Sequence, residues 1–135
     1  MTNFIQVLIR LVLAVIAGGL IGLEREVVHK PAGIRTHILV CLSSALAVLI
    51  TIEELPSQAA WIIAGIEMGI GFLGAGAIFK SKNEIHGLTT AASILAVSIL
   101  GLAIGIGYYA MSLVAFILIL ATLHMKYVRF LKHHA

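Results

Sequence analysis

Long apolar runs separated by short polar clusters make up almost the whole chain. A helix that crosses a membrane needs roughly 20 mostly apolar residues, so cutting the chain at its polar clusters predicts five spans. The final apolar stretch is long enough for two of them, and the Gly and Tyr residues of "GIGYY" predict a tight turn within it. The predicted spans are residues 4–23, 37–52, 61–79, 87–104 and 108–125.

This pattern predicts an all-α fold, a polytopic transmembrane helix bundle that forms one domain over residues 1–135. Composition agrees, because 11% of the residues are charged, whereas a soluble domain has roughly 25%. A signal peptide is not expected, since its basic residue would precede the apolar run and Arg10 lies inside it. For the short second span, an interfacial or re-entrant segment is the alternative to a full crossing.

Basic residues mark one side of the predicted bundle. Every Lys and Arg except Arg10 follows span one, span three or span five, whereas the segment between spans two and three carries only Glu53 and Glu54 as charged residues. The positive-inside rule then places the N-terminus outside and the C-terminus in the cytoplasm. The net charge of +3 does not predict a nucleic-acid partner, because these residues flank spans instead of forming one basic face. Their expected contact is the lipid bilayer.

Two ionisable residues lie within the predicted spans. A charge at the centre of a span costs at least roughly 2.5–3.5 kcal/mol, so it normally faces the protein interior and has a partner. Arg10 and Glu67 each lie six residues inside their spans, at a matching depth of about 9 Å. We therefore predict an intramembrane ion pair that joins span one to span three. The functional alternative is that Glu67 binds a proton or a cation.

Span three is rich in glycine, as its segment "GIEMGIGFLGAGAIFK" shows. Small residues let helix backbones approach closely in lipid, and Glu67 shares its helix face with several of them. We therefore predict that span three is packed on two faces and forms the central helix of the bundle. The glycines assigned to helix packing are Gly18, Gly22, Gly65, Gly69, Gly71, Gly74 and Gly76.

A polar cluster is predicted at the cytoplasmic ends of spans one, two and four. Thr36 and either Thr89 or Thr90 stand where N-caps are expected. Glu24 is expected to pair with Arg25 or Arg35, while the alternative is a weak Mg²⁺ site at Glu24 or Glu26, only one of which can face the bundle. The scattered histidines do not have the spacing of a transition-metal site. The full cluster is Glu24, Arg25, Glu26, Arg35, Thr36, His37, Thr89 and Thr90.

Four motifs occur in order along the chain: "GLERE", "AGIRTH", "GIGFLGAGAI" and "GLTTAAS". With these motifs the chain resembles the membrane domain of the MgtC/SapB family of bacterial inner-membrane proteins. The resemblance implies a five-span domain and a role in coping with low magnesium or with acidic, host-like conditions. Some members are thought to restrain the membrane ATP synthase, and older names call the family magnesium transport proteins.

The chain departs from the family pattern in three ways. The soluble C-terminal domain of MgtC is not expected here, so the chain resembles the shorter SapB-type branch. Relatives usually have an apolar residue where Glu67 stands and often have Trp where Leu95 stands. A mechanism built on Glu67 would therefore not be a mechanism of the family.

The motifs do not predict catalysis or a bound cofactor. "GIGFLGAG" has the look of a nucleotide-binding motif, but it lies in a predicted spanning helix and lacks the preceding strand that such a motif requires. We expect a stress or low-magnesium adaptation factor that binds another membrane protein, itself as an oligomer, or both. The alternative is a transporter or channel for Mg²⁺ or protons, which should carry polar residues in several spans.

Overall fold

The computed structural model describes residues 3–131, and it describes side chains from residue 3 to residue 125. Within this range the chain forms a bundle of five α-helices. A short 3₁₀ turn, Pro56–Gln58, leads into the third helix, and a small antiparallel hairpin of β1 and β2 joins the third helix to the fourth. The elements are α1 (Phe4–Val27), α2 (Ile34–Glu54), α3 (Ala59–Ala75), β1 (Phe79–Ser81), β2 (Glu84–His86), α4 (Leu88–Ile106) and α5 (Tyr109–Leu131).

Four segments of the described chain are long and apolar enough to cross a membrane, and they contain α1, α2, α3 and α4. The part of α5 whose side chains are described, Tyr109–Met125, is apolar but shorter. The predicted helical membrane fold is confirmed at this level. The second helix is continuous over 21 residues, which corresponds to about 31 Å and is long enough for a full crossing.

The core lies where α2 packs between α1 and α4. The α1 and α2 helices are antiparallel, since Gly18 and Gly22 of α1 face His37 and Ile34 of α2 in reverse order, whereas α2 and α4 run parallel, since Gly101 and Gly105 of α4 face Cys41 and Ala45. The fourth helix is heavily buried, and its residues Val97 and Leu100 pack in the same cluster as Cys41. Cys41 is a free, buried thiol and packs in this cluster as a small hydrophobic side chain.

The third helix is peripheral, which corrects the prediction that it is the central helix of the bundle. Of its residues, all of which the structure describes, Gly74 alone is buried. It packs mainly on α4, and its large side chains at Trp61, Met68 and Phe72 are among the most exposed of the described residues. Glycine provides no side chain to bury, so a Gly-rich helix allows close packing but does not itself supply the contacts.

The helix ends also differ from those predicted. The third span was expected to continue to Phe79, but α3 ends at Ala75 and Gly76 follows, a residue that weakens helices. The backbone of the residues beyond it finds hydrogen-bond partners in the β1–β2 hairpin, whose turn residue Lys82 has a positive φ of 53°.

The predicted threonine N-caps are wrong. The N-cap of α2 is Gly33, and the backbone N–H of Ile34 donates to Glu26 Oε2 at 2.9 Å instead of to a threonine. The N-cap of α4 is Gly87, whose φ of 87° favours glycine. The three threonines lie two or three residues after these N-caps, inside the helices, where their hydroxyls cannot take the cap position.

The turn between α4 and α5 forms where the "GIGYY" segment predicts it. Gly107 ends α4 in the left-handed conformation with a φ of 98°, and Tyr109 begins α5. The two helices therefore form a tight antiparallel hairpin.

Candidate functional site

Glycines make two close helix contacts in the core, and α2 is the partner in both. A Cβ atom added at Gly18 would lie 2.6 Å from the carbonyl oxygen of His37, and one at Gly22 would lie 2.6 Å from the Cα atom of Ile34. Gly101 and Gly105 of α4 meet the backbone of Cys41 and Ala45 of α2 in the same way. Each pair has the Gly-x-x-x-Gly spacing that allows helix backbones to touch.

The third helix carries the same spacing at Gly65 and Gly69, but these residues are open. Within the described part of the chain, no neighbouring atom lies within 4 Å of a Cβ placed at Gly65, Gly69 or Gly71. Gly74 is the α3 glycine that packs against another helix, since its Cβ would lie 3.3 Å from the carbonyl oxygen of Ala91. Gly76 meets only Leu73 of its own turn. The α3 glycines therefore pack on one side, and the predicted second packed face is wrong within the monomer.

At the basic end of the bundle, the structure pairs Glu24 with Arg25, one of the two partners expected for Glu24. The Arg25 Nη2 atom donates to Glu24 Oε1 at 2.7 Å, and Nε donates to Oε2. Both residues are largely buried, with exposed fractions of 9% for Glu24 and 3% for Arg25. Two opposite charges that share two hydrogen bonds compensate each other where water is largely excluded.

Next to this pair, His37 joins α2 to α4. Its ring nitrogens lie 2.9 Å from the Gly33 carbonyl oxygen and 3.0 Å from Ser93 Oγ. The Ser93 hydroxyl in turn donates to the Thr90 carbonyl oxygen at 2.8 Å. His37, Thr90 and Ser93 are all buried, so this chain of hydrogen bonds fixes the register of α2 on α4.

The predicted cytoplasmic cluster is therefore divided. Glu24, Arg25, His37 and Thr90 are buried together near the ends of α1, α2 and α4, whereas Arg35 and Thr89 are exposed and Thr36 is partly buried. Glu26 is exposed and accepts the hydrogen bond at the start of α2.

The two carboxylates considered for Mg²⁺ bind different protein groups, Arg25 for Glu24 and the Ile34 amide for Glu26. Within residues 3–125, no group of three or more His, Cys, Asp and Glu side chains is arranged to hold a metal ion. The structure therefore provides no support for the Mg²⁺ alternative at this end of the bundle.

A second polar group lies deeper in the bundle and joins three helices. The Ser98 hydroxyl of α4 donates to Glu67 Oε1 of α3 at 2.7 Å, and it lies 2.9 Å from the Ser44 hydroxyl of α2. The other carboxylate oxygen of Glu67, Oε2, is buried and has no hydrogen-bond partner among the described residues. Half of this carboxylate is thus unsatisfied in an apolar environment, where such an atom is costly.

The predicted ion pair between Arg10 and Glu67 is absent from the described structure. Because α3 packs mainly on α4, Glu67 reaches the Ser98 hydroxyl instead of the guanidinium. Arg10 instead donates from Nη1 to the Gly105 carbonyl oxygen at 2.8 Å and from Nε to the Tyr109 hydroxyl at 3.3 Å. Each residue binds α4 or the turn after it, so the equal depth that suggested a pair does not imply contact.

Comparison with known proteins decides the family. The model of the MgtC family matches residues 11–130. The chain belongs to the MgtC family. Three relatives are similar over most of this MgtC-family chain: YhiD of Escherichia coli K12 (36% identical over 89% of the chain), named as a candidate magnesium transporter; SapB of Bacillus subtilis (35% over 85%); and MgtC of Salmonella typhimurium LT2 (37% over 84%). No solved structure matches the chain.

The MgtC-family chain covers only part of each relative: 60% of YhiD, 54% of SapB and 49% of MgtC. SapB and MgtC both extend beyond the matched region by a similar fraction. The sequence suggested the SapB-type branch, but the length of the match does not distinguish SapB from MgtC.

Sequence reasoning missed five residues that the structure of this MgtC-family chain brings to its helix contacts. The Gly-x-x-x-Gly spacing at positions 101 and 105 was a usable signal, because it repeats the spacing at positions 18 and 22. Hydroxyl side chains within apolar runs were a weaker signal, since many such serines bond only to their own helix. The missed residues are Ser44, Ser93, Ser98, Gly101 and Gly105.

Proposed function

We propose that this MgtC-family protein is a factor for adaptation to low magnesium or acid stress that acts by binding another membrane protein through α3. The observation that carries the proposal is the open glycine pair at Gly65 and Gly69. Both other Gly-x-x-x-Gly pairs of the chain, at positions 18 and 22 and at positions 101 and 105, are filled by α2. The α3 pair has the same spacing, but no other helix of the described chain packs against it.

The outward face of α3 has the ridges and grooves of a surface that can pack against another helix. Trp61, Met68 and Phe72 are 82%, 77% and 84% exposed, and they share a face with Gly65 and Gly69 because their spacing follows the helical repeat. Large side chains therefore alternate with notches that lack side chains. A partner helix can place its own side chains in these notches and its backbone against the glycines, an approach that drives helix association in lipid.

We place the chain in the bacterial inner membrane with five spans, the N-terminus outside and the C-terminus in the cytoplasm. The alternating directions of the helices and the position of Arg25, Lys30, Arg35, Lys80 and Lys82 at one end of the bundle support this orientation. Reporter domains fused after residue 135 and after residue 55 test it. Cytoplasmic activity is expected only for the first fusion, and the reverse pattern would overturn the orientation.

Site-specific photocrosslinking in native membranes tests the binding proposal. A photoreactive amino acid at Met68 should form an adduct with another membrane protein, whereas one at Leu39, a 64% exposed position on α2, should react with lipid. Combining Gly65→Ile and Gly69→Ile should abolish the protein adduct and the growth advantage in low-magnesium medium together. The matched control is Ala110→Ile at an exposed position of α5, which should leave both unchanged.

Two outcomes would contradict this proposal. If the Met68 adducts contain lipid alone, α3 faces the bilayer and does not bind a protein. If the glycine variants lose the adduct but keep growth in low magnesium, α3 binds a protein that the function does not need. An adduct with twice the mass of the chain would show that the partner of α3 is a second copy of this chain and not another protein.

The second candidate function is transport of Mg²⁺ or protons, and one observation favours it. A transporter is expected to have polar groups from several spans near the middle of the bundle, and Ser44, Glu67 and Ser98 come from three helices. The unpartnered Oε2 atom of Glu67 is where a proton or a cation would bind. Ion flux into proteoliposomes should then be lost in Glu67→Gln and kept in Glu54→Gln, an exposed glutamate. Equal flux in both variants, or none in the wild type, would exclude this function.

A further inference from the structure

Arg10 is a cation whose charge is not compensated by the described protein. Its two hydrogen bonds go to neutral oxygens, the Gly105 carbonyl and the Tyr109 hydroxyl, and it forms no ion pair among residues 3–125. Both partners lie at the turn between α4 and α5, so the guanidinium is held at the level where these helices end. A carbonyl and a hydroxyl hold an intramembrane guanidinium in place without neutralising it, so Arg10 keeps a net positive charge that an anionic group can bind.

An apolar groove of about 260 Å³ lies between α1, α4 and α5 beside this guanidinium. Tyr109 connects the two features, because its hydroxyl accepts the hydrogen bond from Arg10 and the residue lines the groove. The hydroxyl of Ser112 in the wall donates to the Tyr108 carbonyl oxygen at 2.8 Å, so it is already satisfied. Along α1 the groove extends from Leu13 to Leu20, a distance of about 11 Å.

We infer that the α1–α4–α5 groove binds an anionic phospholipid, with the phosphate on Arg10 and one acyl chain along the groove. The guanidinium matches phosphate oxygens well, and its Nη2 atom makes neither of the two hydrogen bonds described above. A single molecule of this class supplies both the missing negative charge and an apolar chain that begins next to it.

Two other occupants fit less well. A zwitterionic phospholipid would bring an ammonium group near the guanidinium and leave the charge of Arg10 uncompensated in sum. A protein helix would fill the apolar groove but would also need an acid at the depth of Arg10. The site is distinct from the α3 surface proposed for partner binding, and it lies at the opposite end of the bundle from Lys80 and Lys82, where general attraction to anionic lipid is expected.

Native mass spectrometry of the purified full chain tests this inference. After equilibration with equal amounts of phosphatidylglycerol and phosphatidylcholine, the wild type should retain one phosphatidylglycerol. Arg10→Gln should weaken retention about tenfold or more, as expected for the loss of a charge-assisted hydrogen bond. Arg35→Gln, which removes an exposed arginine at the other end of the bundle, is the matched control and should retain the lipid.

A second variant separates the groove from the charge. Ala17→Phe fills the groove while Arg10 remains, and it should lower retention to a similar extent. Added phosphatidylglycerol should raise the thermal unfolding midpoint of the wild type and of Arg35→Gln but not that of either site variant. If Arg10→Gln does not fold, Ala17→Phe and this thermal shift decide the question.

Four results would overturn the inference. Equal retention of the two lipids would show that the headgroup charge is not read. Wild-type retention by Arg10→Gln would exclude Arg10 as the phosphate ligand, and wild-type retention by Ala17→Phe would exclude the groove. Competition by soluble glycerol 3-phosphate as strong as by phosphatidylglycerol would identify a site for free phosphate instead of lipid.

Discussion

The chain contains three Gly-x-x-x-Gly pairs, and the structure uses them in two ways. The pair in α1 and the pair in α4 both contact the backbone of α2, whereas the pair in α3 contacts no other helix among the described residues. The same sequence spacing therefore allows close approach but does not determine which helix approaches. In the packed region, comprising α1, α2 and α4, the bulky side chains that bury the contact come from all three helices; α3 carries its own bulky side chains outward.

The two regions also treat buried charge differently. In the packed region, Glu24 and Arg25 compensate each other through two hydrogen bonds. On α3, Glu67 has one oxygen bonded and one without a partner. The packed region is thus internally complete, while α3 has both steric and electrostatic groups left to satisfy, as expected for an element that binds something else.

The largest expected loss of stability comes from disrupting the charge pair of the packed region. Glu24→Ala leaves the Arg25 guanidinium buried without a counter-charge, and we expect it to lower the free energy of unfolding by about 3–5 kcal/mol. Glu67→Ala removes a half-satisfied carboxylate and should change the free energy by less than about 1 kcal/mol. Denaturant unfolding in detergent, followed by a burial-sensitive probe, measures both. Equal losses of unfolding free energy would mean that the carboxylate of Glu67 is as well compensated as that of Glu24.

A smaller effect compares the glycines directly. Gly101→Ala places a methyl group against the backbone of Cys41, and overpacking of this kind costs about 1–3 kcal/mol. Gly65→Ala adds the same methyl group in open space and should stabilise α3 by up to about 1 kcal/mol, because alanine favours helix more than glycine does. Thermal unfolding of the two variants in the same detergent compares them.

The result depends on whether α3 is free in the sample. If Gly65→Ala destabilises the isolated chain as much as Gly101→Ala, the glycine face of α3 is already occupied, for example by a second copy. A mass measurement of the detergent-solubilised protein distinguishes that case from a monomer.

Much of this architecture follows from the hydrophobic pattern, because apolar runs of the length of a bilayer permit little besides helices. The positions of α1, α2 and α4 and the turn at Gly107 were predictable for this reason. The glycine pair at Gly18 and Gly22 was also assigned correctly to helix packing, since small residues near a helix end admit few other roles. Local periodicity was sufficient for all of these features.

Apart from the helix ends, the errors concern which helices are neighbours. Arg10 and Glu67 lie at matching depth in the membrane. Whether two such side chains touch also depends on how each helix is rotated and on which helices are neighbours. The third helix looked central because glycines line it, yet a glycine at a packed contact and a glycine in open space are identical in one sequence. Likewise Ser98 gave no local sign that it would join Glu67 to Ser44, because that contact connects residues 31 positions apart in the chain.

The smallest expected effect concerns Ser98, the residue through which the packed region contacts the carboxylate of α3. Ser98→Ala removes the donor to Glu67 Oε1, and a hydrogen bond of this kind contributes about 1 kcal/mol. In a Glu67→Ala background the same substitution should cost less, because the carboxylate that needed the donor is gone. A double-mutant cycle of unfolding free energies isolates this coupling.

Ser43→Ala is the matched control for the cycle, since its hydroxyl bonds only to the Val40 carbonyl oxygen of its own helix. It should show no coupling to Glu67→Ala. A coupling near zero for Ser98 as well would mean that α3 is held on α4 by apolar contact alone. A coupling of about 1 kcal/mol would instead mean that any partner or ion that takes Glu67 must compete with Ser98.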